Sequence, residues 1–227
     1  MENRSRPQIK ICGLKHVEEA LFCADLGVHA IGCVFYPKSP RHLSDAEAGK
    51  ICRAVSGRVQ TVGVFVNESV HTILQKVRDC GLTAVQLHGK ESPDTVNELR
   101  RNSITVIKTL FVDGTPNLTD AALYNASAFL VECGKGPLPG GNAMAWDWRQ
   151  ARDFGDRYPL LLAGGLSPEN ISQAILEAFP AAVDVSSGVE SAPGQKNLKK
   201  IEAFVRAVYA FPQTIDGERP NAEIFRP

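Results

Sequence analysis

Apolar and polar positions along this chain follow two rhythms. Gln8-Ile-Lys-Ile-Cys12 alternates with period two and stops at Gly13, which predicts a short strand with Ile9 and Ile11 on one face and Lys10 and Cys12 on the other. Residues 16–26 instead space Val17, Ala20, Leu21 and Ala24 as one face of a helix. The two rhythms then repeat, predicting strands over 30–35, 59–66, 83–88, 104–111, 128–131 with Glu132 closing it, 159–163 and 182–185. The run 59–66 is almost continuously apolar, as expected of a strand buried on both faces.

Helix starts are marked between the strands. Ser44 and Glu47 form a capping box for a helix to about Val55, Ser69 opens another, and Ser92-Pro93 and Ser167-Pro168 each place a capping serine before a first-turn proline. Thr115-Pro116 predicts a helix through Tyr124, Asp147 with Gln150 predicts another, and 198–209 is a closing amphipathic helix. Strands alternating with helices through short connections point to a closed (β/α)8 TIM barrel over an open doubly wound sheet.

With 227 residues and no linker-like stretch before about residue 211, the chain reads as a single domain. Residues 1–210 form the barrel catalytic domain, and 211–227 a polar, proline-bearing tail, surface-draped or disordered. Lysine plus arginine equals aspartate plus glutamate at 25 each, so no basic field suits nucleic acid, and a small-molecule ligand is favoured. The polar N-terminus and the lack of a membrane-length apolar run predict no membrane association and a cytoplasmic location. Monomer and homodimer both stay open. Six cysteines, at 12, 23, 33, 52, 80 and 133, share no disulfide or zinc spacing and read as reduced thiols. Only Cys12 and Cys133 directly follow strands.

Two stretches near the end carry candidate chemistry. Pro159-Leu-Leu-Leu-Ala-Gly-Gly-Leu-Ser-Pro-Glu-Asn170 and Val183-Asp-Val-Ser-Ser-Gly-Val-Glu190 each break an apolar run into small residues. Bare backbone N–H groups at such turns bind anions, and a barrel builds a phosphate cradle from its last two strand-to-helix loops. A (β/α)8 barrel does its chemistry at the C-terminal strand ends, which singles out Cys12, Arg41, His88, Lys108, Glu132, Asp184 and Ser186. Lys10 shares a face with Cys12 and would lower its pKa; an inert buried thiol is the alternative. Glu132 is a partly desolvated carboxyl suited to general acid catalysis, or else a salt-bridge partner of Lys10 or Lys108. Arg41 has the planar fork that suits a carboxylate, or is simply exposed. His88 reads as a hydrogen-bonding neighbour ahead of a proton carrier, and Asp184 as a holder of a loop or cation.

Lys10-Ile-Cys-Gly13, Phe35-Tyr-Pro-Lys-Ser-Pro-Arg41, Val62-Gly-Val-Phe-Val-Asn67, Val85-Gln-Leu-His-Gly89, Ala163-Gly-Gly-Leu-Ser-Pro-Glu-Asn170 and Asp184-Val-Ser-Ser-Gly-Val-Glu190 occur in order from about 8 to 210. Together they resemble the phosphoribosylanthranilate isomerase family of tryptophan biosynthesis. The resemblance implies a ribulose-phosphate-binding barrel and an aldose–ketose isomerase, an intramolecular oxidoreductase performing an Amadori rearrangement with no metal or cofactor. It implies Cys12 as general base, a general acid at the end of strand six, and Arg41 on the anthranilate carboxylate. His88 and Asp184 would complete the substrate site, and Gly164, Gly165, Ser186, Ser187 and Gly188 would hold the phosphate. Two departures stand out. Glu132 occupies the place of the family's usual aspartate, and Gly140-Gly-Asn-Ala-Met-Ala-Trp-Asp-Trp148 differs from the usual G-G-S/T-G-K-x-F-D-W run. A neighbouring phosphosugar reaction, such as indole-glycerol-phosphate synthesis, would need a catalytic lysine on a central strand and a longer N-terminus. A phosphosugar-binding paralogue with weakened activity is the other alternative, with Glu132 and the altered 140–146 loop as its reason.

Overall fold

In the computed structural model, which describes residues 6–134, 145–211 and 223–225, the alternating segments become eight parallel strands. These are β1 (Gln8–Cys12), β2 (Ala30–Val34), β3 (Gln60–Phe65), β4 (Ala84–Leu87), β5 (Thr105–Phe111), β6 (Ala128–Glu132), β7 (Leu160–Leu162) and β8 (Ala182–Val185). Each strand pairs with the next, and β8 returns to β1 with Asp184 opposite Lys10, so the expected (β/α)8 barrel closes. The helices are α1 (Val17–Asp25), α2 (Asp45–Ala54), α3 (Val70–Cys80), α4 (Pro93–Arg101), α5 (Arg152–Gly155), α6 (Ile171–Ala178) and α7 (Leu198–Ala210). Ser44, Ser69 and Ser92 cap α2, α3 and α4 as their spacing predicts, each accepting a first-turn backbone N–H.

Period two along each strand sorts the core into two shells. Ile9, Ile11, Val85, Val106, Leu110, Phe129, Val131, Val183 and Val185 pack outward in a cluster shared with the helices. Ala30, Val62, Ala84, Ile107, Ala128, Leu130, Leu161 and Ala182 fill the barrel axis. By the same parity Lys10, Cys12, Gln86, His88, Thr109, Glu132, Asp184 and Ser186 belong to the inner set, above that apolar filling and toward the C-terminal strand ends. Lys108 belongs to the outer set.

The opposite end of the barrel holds a second contribution to the inner cluster. Ile224 and Phe225 are buried there with Ala30, Val62 and Ala182. Gln8, at the start of β1, accepts the N–H groups of Ile224 and Phe225 at 2.9 Å each and donates to the Phe225 carbonyl at 2.7 Å. The expected tail at 211–227 otherwise falls mostly outside the described residues, as do the N-terminal residues 1–5 and loop residues 135–144, which include Gly140 to Met144.

Four local features differ from the sequence expectation. After β5 the helix is a 3-10 run, Leu118–Leu123, capped by Asn117 and Asp120, so Thr115-Pro116 precedes it. Asp147 also caps a 3-10 run, Trp148–Ala151, and binds the Arg149 side chain at 2.8 Å in place of an answer from Gln150. α6 starts at Ile171 and not at Pro168, because Asn170 turns its side chain back: it accepts Ser167 N–H and donates to the Gly165 carbonyl, both at 2.8 Å. Finally, β8 is followed by a 3-10 turn, Ser187–Val189, and a hairpin of β9 (Glu190–Ala192) and β10 (Gln195–Lys196), turned through Gly194 at φ 77°.

Candidate active site

Cys12 ends β1 inside the barrel mouth, and its neighbours are glycines for a reason of space. A Cβ at Gly32, its partner on β2, would lie 2.6 Å from Cys12 Sγ. At Gly13, φ is +78° and a Cβ would meet Arg41 Cδ at 2.5 Å, so this glycine lets the arginine lie against the end of β1. Lys10, one turn of the pleat below Cys12, donates to Asp184 Oδ1 at 2.9 Å within the core. Burial opposes the charge on Lys10, but Asp184 outweighs it and raises the ammonium pKa above its ordinary value. The expected lowering of the Cys12 pKa does not result. Burial is the largest influence on the thiol and pushes it up; Lys10 and Lys196 pull it down, Asp184 adds to the rise, and the net direction is upward.

Glu132 ends β6 on the same inner parity. It bonds neither Lys10, which is paired with Asp184, nor Lys108, whose ammonium binds the Leu87 and Gly89 carbonyls and Glu91 on the outer side. Its partner is His88, with Nε2 3.1 Å from Glu132 Oε1. The other ring nitrogen of His88 meets Gln86 Nε2 at 2.7 Å and Thr109 Oγ1 at 3.1 Å. Both ring nitrogens of His88 are thus engaged, one by Glu132 and the other by Gln86 and Thr109, which fixes the plane of the ring.

Arg41 is not an exposed cation. Its Nε donates to Glu190 Oε1 at 2.8 Å and its Nη2 to Glu190 Oε2 at 2.7 Å, a fork-to-fork pair in which both residues are buried. Lys196 on β10 donates to the same Oε1 at 2.7 Å and to the Ser186 carbonyl at 3.0 Å. Burial would raise the Glu190 carboxyl, but Arg41 and Lys196 outweigh it and hold it below the usual carboxylate range. Neither Glu190 nor Lys196 stands out from strand or helix periodicity; the Pro193-Gly194 dipeptide is the one signal for the hairpin that brings them together.

The two glycine- and serine-bearing turns lie side by side. A Cβ on Gly188 would fall 1.8 Å from the Leu166 carbonyl oxygen, so the loop after β8 rests directly on the loop after β7. Gly164 and Gly165 take φ +86° and +69°, which turns the chain sharply at the end of β7. Trp146 and Trp148 fasten this turn through the Ala163 and Gly164 carbonyls at 3.0 and 3.2 Å. Ser186 joins the cradle to the Cys12 end by donating to the Cys12 carbonyl at 3.0 Å. Ser187 and Gly188 begin a helical turn, where backbone N–H groups have no intrahelical acceptor.

A thiol, a carboxyl–imidazole pair, a guanidinium and two small-residue turns thus share one barrel mouth, a set suited to proton transfer on an anionic substrate. A family model described as N-(5'phosphoribosyl)anthranilate (PRA) isomerase matches residues 9–207. A relative from Desulfatibacillum aliphaticivorans, named N-(5'-phosphoribosyl)anthranilate isomerase, is 50% identical over 199 residues, 88% of this chain and 91% of that one. The crystal structure of phosphoribosyl anthranilate isomerase from Thermotoga maritima is similar at TM-score 0.83 and 38% identity, over 89% of this chain and 98% of that one. A phosphoribosyl anthranilate isomerase in complex with reduced 1-(o-carboxyphenylamino)-1-deoxyribulose 5-phosphate is similar at TM-score 0.78 and 37% identity, over 89% and 98% of the two chains.

Proposed function

Because the chain belongs to the N-(5'-phosphoribosyl)anthranilate isomerase family, we propose that Cys12 and Glu132 are the base and acid of that isomerisation. The enzyme converts N-(5'-phosphoribosyl)anthranilate, an aldose derivative, into the ketose 1-(2-carboxyphenylamino)-1-deoxyribulose 5-phosphate in tryptophan biosynthesis. Glu132 donates its proton to the ribose ring oxygen, and the C1–O bond opens to a Schiff base. The Cys12 thiolate then removes the proton from C2, the electron pair moves to the nitrogen, and the resulting enolamine tautomerises to the ketose. A thiol with a raised pKa is scarce as thiolate at neutral pH but is a stronger base once formed.

The observation that carries this reading is the shared parity of Cys12 and Glu132 at the inner ends of β1 and β6, above an apolar barrel filling. Arg41 receives the anthranilate carboxylate, His88 and Asp184 line the sugar, and Gly164, Gly165, Ser186, Ser187 and Gly188 receive the phosphate. A glutamate serves as well as an aspartate in kind, with a similar reference pKa. The alternative of a weakly active phosphosugar-binding paralogue has no comparable support. We assign residues 1–210 to the catalytic barrel, and the six free thiols favour a reducing compartment, the cytoplasm.

Growth of a tryptophan auxotroph lacking this step tests the reading. Rescue by the chain and loss of rescue with Cys12→Ser are expected; rescue by Cys12→Ser at wild-type turnover would remove the thiol from the mechanism.

A further inference from the structure

Arg41 alone would be a poor receptor for a carboxylate here, since its guanidinium already faces one. Glu190 takes Nε and one Nη2 donor at 2.8 and 2.7 Å, and as an isolated pair the two charges cancel. Lys196 changes that sum. Its side chain is fully enclosed, its ammonium lies 2.7 Å from Glu190 Oε1, and the buried cluster then holds two cations and one anion. The Nη1 donors and the second Nη2 donor of Arg41 are left outside the Glu190 fork. The Lys10–Asp184 pair next to it is neutral in itself and adds nothing to the balance.

We propose that Lys196 is a positioning residue for substrate specificity: by neutralising Glu190 it leaves the Arg41 guanidinium with a net positive field for the aromatic carboxylate of the substrate. The inference rests on the reading of Arg41 as the carboxylate receptor. Glu190 fixes the direction of the fork, and Lys196 fixes its effective charge. Both come from the hairpin that follows the phosphate turn, so the same loop system orients the anionic ends of one molecule. Lys200 steadies that hairpin by donating to the Glu190 backbone carbonyl at 2.8 Å.

The test uses two probes against the full-length chain by titration calorimetry: reduced 1-(o-carboxyphenylamino)-1-deoxyribulose 5-phosphate and its phenylamino counterpart without the carboxylate. Wild type should prefer the carboxylate-bearing probe. Lys196→Met should shrink that preference by about tenfold, the scale of one charge interaction in a desolvated site, while any loss through its Ser186 contact falls on both probes alike. Lys196→Arg should keep most of the preference. Lys196→Gln, which retains a donor toward Glu190, should reproduce the Met result if the Met variant does not fold. A preference unchanged in Lys196→Met, or an equal loss for both probes, overturns the proposal while leaving Arg41 as receptor. Absence of any preference in wild type overturns the Arg41 reading and this inference together.

Discussion

The imidazole Nε2 of His88 lies 3.1 Å from Oε1 of Glu132, and nothing else described competes for that oxygen. The pair ties the acid of β6 to the end of β4, and Gln86 and Thr109 hold the ring from its far side. Shortening the acid should break it. Glu132→Asp withdraws the carboxyl by about an ångström, and kcat is expected to fall by about one to two orders of magnitude with little change in KM. Steady-state kinetics decide this, and a gain in rate would mean that the site is built for the shorter acid.

The space left by Gly32 is as specific as the thiol it serves. Gly32→Ala places a methyl 2.6 Å from Cys12 Sγ, so either the thiol or β2 must move. The expected outcome is a folded protein with kcat reduced at least tenfold, whereas a Gly49→Ala control on the outer helix α2 keeps its rate. Circular dichroism alongside kinetics separates lost geometry from lost fold.

Reactivity of Cys12 should follow its raised pKa. Burial keeps the thiol protonated past the ordinary range of about 8.5, so alkylation by iodoacetamide at pH 7 should be slow and should still be rising with pH above that value. Mass spectrometry of the labelled peptide checks this; full labelling within minutes at pH 7 would contradict it.

Glu190 makes an acid-side prediction. Its pKa is lower in the folded chain than in the unfolded one, so its stabilisation is complete above the ordinary carboxylate value of about 4.3 and is lost as pH falls through the folded value. Wild type should therefore unfold at a higher temperature than Glu190→Gln at pH 6, and the gap should narrow below about pH 4. A constant gap across that range would show that the carboxylate charge contributes nothing.

Phe225 offers a test far from the mouth. Burying such a side chain contributes about 2 kcal/mol, so Phe225→Ala should lower thermal stability by that order while kcat and KM stay near wild type. An unchanged melting temperature would mean that the buried contacts of Phe225 and Gln8 contribute no stability.

Much of this was legible in residue order. Strand alternation places Lys10 and Cys12 together and, applied to Val106, Lys108 and Leu110, sends Lys108 outward, although its partner Glu91 is a contact that alternation does not reveal. The strand positions follow from apolar runs, and the serine caps of α2, α3 and α4 follow from local hydrogen bonding. What escaped depends on contacts distant in sequence. Asn170 delays α6 because Gly165 offers a carbonyl, Glu190 reaches Arg41 from the far end of the chain, and the balance at Cys12 turns on burial that no list of neighbours reveals.

The amide of Gln8 finds its partners at Ile224 and Phe225, 216 and 217 positions downstream. Gln8 therefore leaves the ribosome 216 and 217 residues ahead of those two partners. Vectorial synthesis thus leaves the blind end of the cylinder without its stopper until Ile224 and Phe225 have emerged, after all eight staves have been made.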